Sequence, residues 1–110
     1  MDDLQQVLVS LNEIESILTK HDYPEPNPKA LSRIRFLAAQ MSGPDSYIAE
    51  KASRISALAA VFYSDKRHAK HQGGADRLLA EIAYDLPNRI RAQVEHLRRI
   101  QQARSDPTDA

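Results

Sequence analysis

Two histidines lie in the basic stretch Ser64–Gly74, whose sequence is Ser-Asp-Lys-Arg-His-Ala-Lys-His-Gln-Gly-Gly. His68 and His71 stand three residues apart, so both imidazoles would face one metal ion if this turn were helical. The cations of the stretch are Lys66, Arg67 and Lys70. They raise the cost of binding a dication and favour an anion or an acidic protein surface. A solvated connector is the third interpretation, and we predict no metal site and no cofactor.

The segment Arg91-Ala-Gln-Val-Glu-His96 has the spacing Arg-x4-His. This spacing resembles the signature of HEPN domains, all-helical modules of about this size, many of which cleave RNA as dimers. The resemblance implies that Arg91 would hold the scissile phosphate and that His96 would assist proton transfer. The segment departs from the family pattern at Ala92, where a polar residue is usual, and in Leu97-Arg98-Arg99, which continues the helix. RNA cleavage is therefore the alternative function rather than the first one.

Arginine dominates the part of the last helical region that follows Pro87, where Glu95 is the one acid before the tail. Its basic residues are Arg89, Arg91, Arg98, Arg99 and Arg104. Guanidinium groups suit planar, bidentate recognition of carboxylates or phosphates. A solvated outer face is the other interpretation, because arginine also favours helix.

Other catalytic and DNA-binding signatures are weak. The chain has no cysteine and only three glycines, which excludes a thiol nucleophile and a phosphate-binding glycine loop. The stretch 39–52 echoes a helix-turn-helix, but Ser42 and Pro44 stand beside its central glycine, where that motif needs apolar packing. Glu50 weakens the attraction of the would-be recognition helix for DNA. The sequence therefore indicates neither an enzyme of a common class nor a DNA-binding protein.

Composition is that of a single small globular domain. The 110 residues are 42% hydrophobic and 27% charged, with a formal net charge of zero. The charge is uneven, because residues 1–65 carry six Lys/Arg against nine Asp/Glu while residues 66–104 carry nine against four. An acidic N-terminus and the lack of an apolar run long enough to span a bilayer predict a cytoplasmic protein of bacterial type.

Apolar residues recur at helical spacing over four regions. We predict helices over residues 3–20, 28–42 and 46–63, and a fourth helical region from about residue 75 to 104. The apolar positions of the last region recur every 3.5 residues on average, which is the coiled-coil period. They are Leu79, Ile82, Leu86, Ile90, Val94, Leu97 and Ile100.

The predicted fold is an all-α bundle of four or five helices with a long C-terminal helical region that Pro87 kinks or splits. Residues 1–104 form one helical domain and residues 105–110 a flexible polar tail. We expect a protein-interaction module of the adaptor, regulator, antitoxin or immunity type. Its expected partner is a protein, for which an acidic surface would suit residues 66–71 and the arginines of the last helix, Arg91, Arg98 and Arg99. A homodimer paired through Glu13 and Glu15 is the alternative; nucleic acid and membrane partners are not expected.

Overall fold

Helices make up 81% of the computed structural model, which describes residues 2–105, and no strand occurs in that part of the chain. The predicted all-α bundle with a long C-terminal helical region is confirmed. The helices are α1 (Asp3–Lys20), α2 (Pro28–Gln40), α3 (Ser46–Phe62), the single turn α4 (Arg67–Lys70), α5 (Gly74–Ala80) and α6 (Leu86–Ser105), with a π-helical segment (Glu81–Asp85) joining the last two. Apart from Ser105, which ends α6, the predicted tail lies outside the described residues.

Side-chain caps fix where the first three helices begin. The carboxylate of Asp2 accepts a hydrogen bond from the Gln5 amide at 2.6 Å. Asn27 caps α2 through the Ala30 amide at 3.1 Å, and Asp45 caps α3 in the same way. Each cap satisfies an amide that has no partner within its own helix.

One apolar stripe from each long helix enters a common core. The largest buried side chains include Leu11, Ile34, Ile55, Phe62 and Ile90, each no more than 1% exposed. Helices α1, α2, α3 and the α5–α6 helix surround this core in that order. The C-terminal helix is antiparallel to α1 and α3, as its hydrogen bonds to side chains of both helices show. Helix α6 therefore contacts α1 and α3, whereas α2 lies diagonally opposite it.

The C-terminal helix passes through Pro87 without ending, so that α5, the π-helical segment and α6 form one long helix. Proline has no amide hydrogen and crowds the carbonyl four residues before it. The π-helical turn just before Pro87 accommodates this, and the Leu86 amide donates to the carbonyl of Glu81 instead. The sequence left open whether Pro87 kinks or splits the helix; the structure keeps the helix whole.

The π-helical segment also changes which residues face the core. Leu78 rather than Leu79 is fully buried, and the buried positions then recur every four residues through Ile82 and Leu86 to Val94. In an α-helix, side chains four residues apart differ in direction by about 40°. The wider π-helical turn, with more residues per turn, reduces this difference. Of the other predicted apolar positions, Leu79 and Leu97 are partly buried against the core, and Ile100 is 37% exposed.

No helix in residues 2–105 is long and apolar enough to cross a membrane.

Candidate functional site

The basic segment, residues 66–71, projects from one end of the bundle just after α3. Ser64 organises its start, because the Ser64 hydroxyl donates to the carbonyl of Val61 at 2.5 Å and accepts from the amide of His68 at 3.2 Å. This geometry turns the chain away from α3 into α4. The cationic side chains that follow are all exposed: Lys66, Arg67 and Lys70. The segment therefore presents its charge to solvent, where a partner can reach it.

The two histidines of the basic segment occupy different local structures. His68 lies in α4, whereas His71 follows that turn in an extended conformation. His71 lines a polar groove with Arg54, Arg77 and Glu81. Within the described residues, no group of three histidine, aspartate, glutamate or cysteine side chains could hold a metal ion. The surroundings of His71 are mainly cationic, which suits an anion better than a dication.

Glycine is required where the chain enters α5. Gly73 has a φ of 88°, in the left-handed region that side chains rarely adopt. A Cβ atom at Gly73 would also lie 2.6 Å from the Cβ of Arg77. The turn that positions the basic segment against the start of α5 therefore depends on this residue.

Arg91, which the family resemblance makes a phosphate ligand, is used inside the fold. Its guanidinium donates to both carboxylate oxygens of Glu15 on α1 and, at 3.0 Å, to the side-chain oxygen of Asn12. The hydrogen bonds to Glu15 raise the pKa of Arg91 above its ordinary value. Since the carboxylate already neutralises this cation, Arg91 joins α6 to α1.

His96, the other residue of that resemblance, is exposed on a different side of α6. Five residues of α-helix rotate the side-chain direction by about 140° from Arg91. Within one chain, the structure therefore does not bring the guanidinium and the imidazole to a common point.

Arg98 and Arg99 lie near the far end of the same helix. Arg98 donates to the side-chain oxygen of Gln5 at 3.0 Å, and Arg99 pairs with Glu95 at 3.4 Å on a well-exposed surface. The helix axis from Gly74 to Arg98 is about 36 Å long. The arginines and the basic segment are thus two separate surfaces at opposite ends of the bundle.

The acidic residues proposed for subunit pairing have partners within the chain. Glu13 accepts two hydrogen bonds from Arg33 of α2, at 2.5 and 3.0 Å, and these bonds lower the pKa of the Glu13 carboxyl. Glu15 is held by Arg91. Both carboxylates thus pair with arginines of neighbouring helices within the chain.

Sequence reasoning missed the outer face of α2. Phe36 is 50% exposed there, and the guanidinium carbon of Arg33 lies 5.2 Å from the centre of its ring. The signal was present in the sequence, because Phe36 falls outside the apolar stripe formed by Ile34, Leu37 and Met41. An aromatic residue out of phase with a core stripe indicates an exposed apolar contact point.

Comparison of this chain with models of protein families, with curated proteins and with solved structures finds no match.

Proposed function

We propose that this chain is a non-enzymatic protein-interaction module, of the adaptor, regulator, antitoxin or immunity type, that binds an acidic protein surface through its basic segment. The observation that carries the proposal is a cluster of three exposed cations within the segment, in contrast to arginines that the fold uses. Arg33, Arg54 and Arg91 pair with carboxylates on neighbouring helices. Lys66, Arg67 and Lys70 are exposed and belong to none of the ion pairs formed within residues 2–105.

The basic segment has the properties of an electrostatic contact rather than of a catalytic centre. It contains no acidic residue, although Asp65 precedes it directly. Complementary charge across an interface speeds encounter and selects the partner more than it adds to affinity. A carboxylate-rich surface would meet three flexible cations here without displacing any ion pair of the fold.

An acidic protein suits this segment better than a nucleic acid. Nucleic-acid binders carry an extended basic face, whereas this chain has no net charge. Residues 66–71 also contain no phenylalanine, tyrosine or tryptophan on which a base could stack. The arginines of α6 lie too far away to extend the same contact surface.

RNA cleavage of the HEPN type remains the alternative proposal, without a specific observation in its favour. Within one chain Arg91 is bonded to Glu15, and His96 faces elsewhere. The purified protein would have to degrade a labelled RNA, and His96→Ala would have to abolish that cleavage. Cleavage that is unchanged in the variant points to a contaminating nuclease.

Affinity purification from cells of the natural source tests the interaction proposal. The variant Lys66→Glu/Arg67→Glu/Lys70→Glu is compared with a control that reverses three scattered exposed cations, Lys20→Glu/Arg89→Glu/Arg104→Glu. Both variants change the net charge by the same amount. A protein that the wild type and the control retain equally, and that the segment variant loses by about tenfold or more, supports the proposal.

Three other outcomes contradict the interaction proposal. If both variants lose the co-purifying protein equally, overall charge alone explains its retention. Retention by the segment variant means that another surface binds it. Co-purifying nucleic acid, seen in the ratio of absorbance at 260 and 280 nm, with no protein partner, moves the alternative function to first place.

A further inference from the structure

The outer face of α2 is unpartnered within the bundle, because α1 and α3 flank this helix and α6 lies on the opposite side of the core. Two shallow grooves run along this face and share Pro28 and Ser32. The other lining residues are Lys29, Arg33 and Phe36 on one side and Leu31 and Arg35 on the other. Pro28 and the small Ser32 thus form a low ridge between two grooves.

Phe36 is the apolar centre of this face and has a cation–π contact with Arg33. Half of the residue is exposed, yet the Arg33 guanidinium lies over the ring. Arg33 is fixed in turn by two hydrogen bonds to Glu13 of α1. An aromatic side chain that is already ordered loses little conformational entropy on binding, and such residues anchor protein interfaces.

Val9 is a second exposed apolar residue, on α1. It is 39% exposed and lies one helical turn before Glu13. Since Glu13 meets Arg33, Val9 and Phe36 each lie about one turn from the same ion pair.

Charge determines which occupant fits. Helix α2 contains three cations and no acid over Pro28–Gln40. Glu13 neutralises Arg33, which leaves Lys29 and Arg35 without an ion pair among residues 2–105. A second copy packed face to face would bring these like charges together. A lipid surface needs a wider apolar face than one phenylalanine and its neighbours provide.

We propose that this face of α2 docks an acidic amphipathic helix from a partner protein. The docked helix places an apolar side chain against Phe36 and carboxylates near Lys29 and Arg35, which stand on opposite flanks of the Ser32 ridge. Helix-in-groove binding of this kind uses apolar anchors spaced by one or two turns. The surface is separate from the basic segment, so the inference stands even if residues 66–71 bind nothing.

Two synthetic helical peptides serve as probes. Both carry the same leucine face and a single tryptophan; one has glutamate at its outer positions and the other has lysine. The protein has no tryptophan, so that tryptophan fluorescence reports the peptide alone. We expect the glutamate peptide to bind the wild type about tenfold more tightly than the lysine peptide, and Lys29→Glu/Arg35→Glu to reverse this preference.

Phe36→Ala should weaken binding of the glutamate peptide by about tenfold. The matched control is Tyr84→Ala, because Tyr84 is an exposed aromatic residue (65%) outside this face. It should bind the peptide as the wild type does. Lys66→Glu/Arg67→Glu/Lys70→Glu should also stay within about twofold of the wild type, which separates this inference from the proposed function. If Phe36→Ala does not fold, the charge reversal at Lys29 and Arg35 still decides the question.

Several results overturn the inference. They are equal binding by Phe36→Ala and Tyr84→Ala, equal binding of the two peptides, and binding of neither peptide. Self-association of the wild type that Phe36→Ala abolishes would make the face a contact between copies of this chain. Binding to vesicles containing phosphatidylserine, with no binding to the glutamate peptide, would make it a membrane contact.

Discussion

Removing the Arg91 side chain should destabilise the fold, because its guanidinium ties α6 to α1 through Glu15. Both side chains are about one-third exposed, at 33% and 30%. Solvent screening therefore reduces their attraction below that of a fully buried pair. Two parallel charge-assisted hydrogen bonds partly offset this screening. We expect a coupling free energy of about 1 kcal/mol between the two residues.

A double-mutant cycle measures that coupling. The unfolding free energies of the wild type, Arg91→Ala, Glu15→Ala and the double variant are obtained from urea titrations. Arg91→Ala alone should cost about 1–2 kcal/mol, because it also removes the hydrogen bond to Asn12 and leaves the Glu15 carboxylate without its cation. In a chain of 110 residues, each kcal/mol corresponds to a fall in Tm of about 4 °C.

Arg99 and Glu95 form the control pair for this cycle. They stand four residues apart on the surface of α6 and are 70% and 69% exposed. Their coupling should be no more than about 0.5 kcal/mol. If the coupling of Arg91 with Glu15 does not exceed that of the control, Arg91 does not hold the helices together, and a functional role for its charge regains support.

Three further predictions concern the core and its connections. Ile90→Ala should lower the unfolding free energy by about 2–5 kcal/mol, because the Ile90 side chain is fully buried. Ile100→Ala should lower it by less than about 1 kcal/mol, because Ile100 is 37% exposed. Equal losses in urea titrations would contradict the packing of α6. Burial raises the pKa of Tyr63 from 10.0 to about 12, so the unfolding free energy should fall as pH rises from 10 to 12. In thermal melts at these pH values, Tyr63→Phe should remove that part of the pH dependence. Gly73→Ala should lower Tm, because Gly73 has a positive φ and a Cβ there would lie 2.6 Å from the Cβ of Arg77. Gly43→Ala should leave Tm unchanged, since the space around Gly43 is open. A similar Tm for both variants would contradict the strained turn.

Local sequence signals were enough to predict the helices and their starts. Asp2, Asn27 and Asp45 each precede an apolar pattern of helical period, and each caps a helix in the structure. These signals act within one turn of the chain, so that they can be interpreted without knowing the tertiary arrangement. The apolar stripes of α1, α2 and α3 were recognisable for the same reason.

The tertiary structure decided which charged residues are available. The sequence could not tell that Arg91 meets Glu15 or that Arg33 meets Glu13, because each pair joins residues far apart in the chain. The sequence analysis grouped the basic segment and the arginines of α6 as one candidate binding site. In the structure they lie at opposite ends of the long C-terminal helix. Cations that look alike in the sequence thus differ in role according to whether a carboxylate lies opposite them.

The sequence by itself determined an all-helical chain, the starts of its first three helices and most of its core positions, since these follow from propensity, capping and apolar period. Only the tertiary structure decided how the chain passes Pro87: the segments on both sides of the π-helical turn pack against α3, and the helix continues through the proline. It also showed that within residues 2–105 no other helix covers the face of α2 on which Phe36 is exposed.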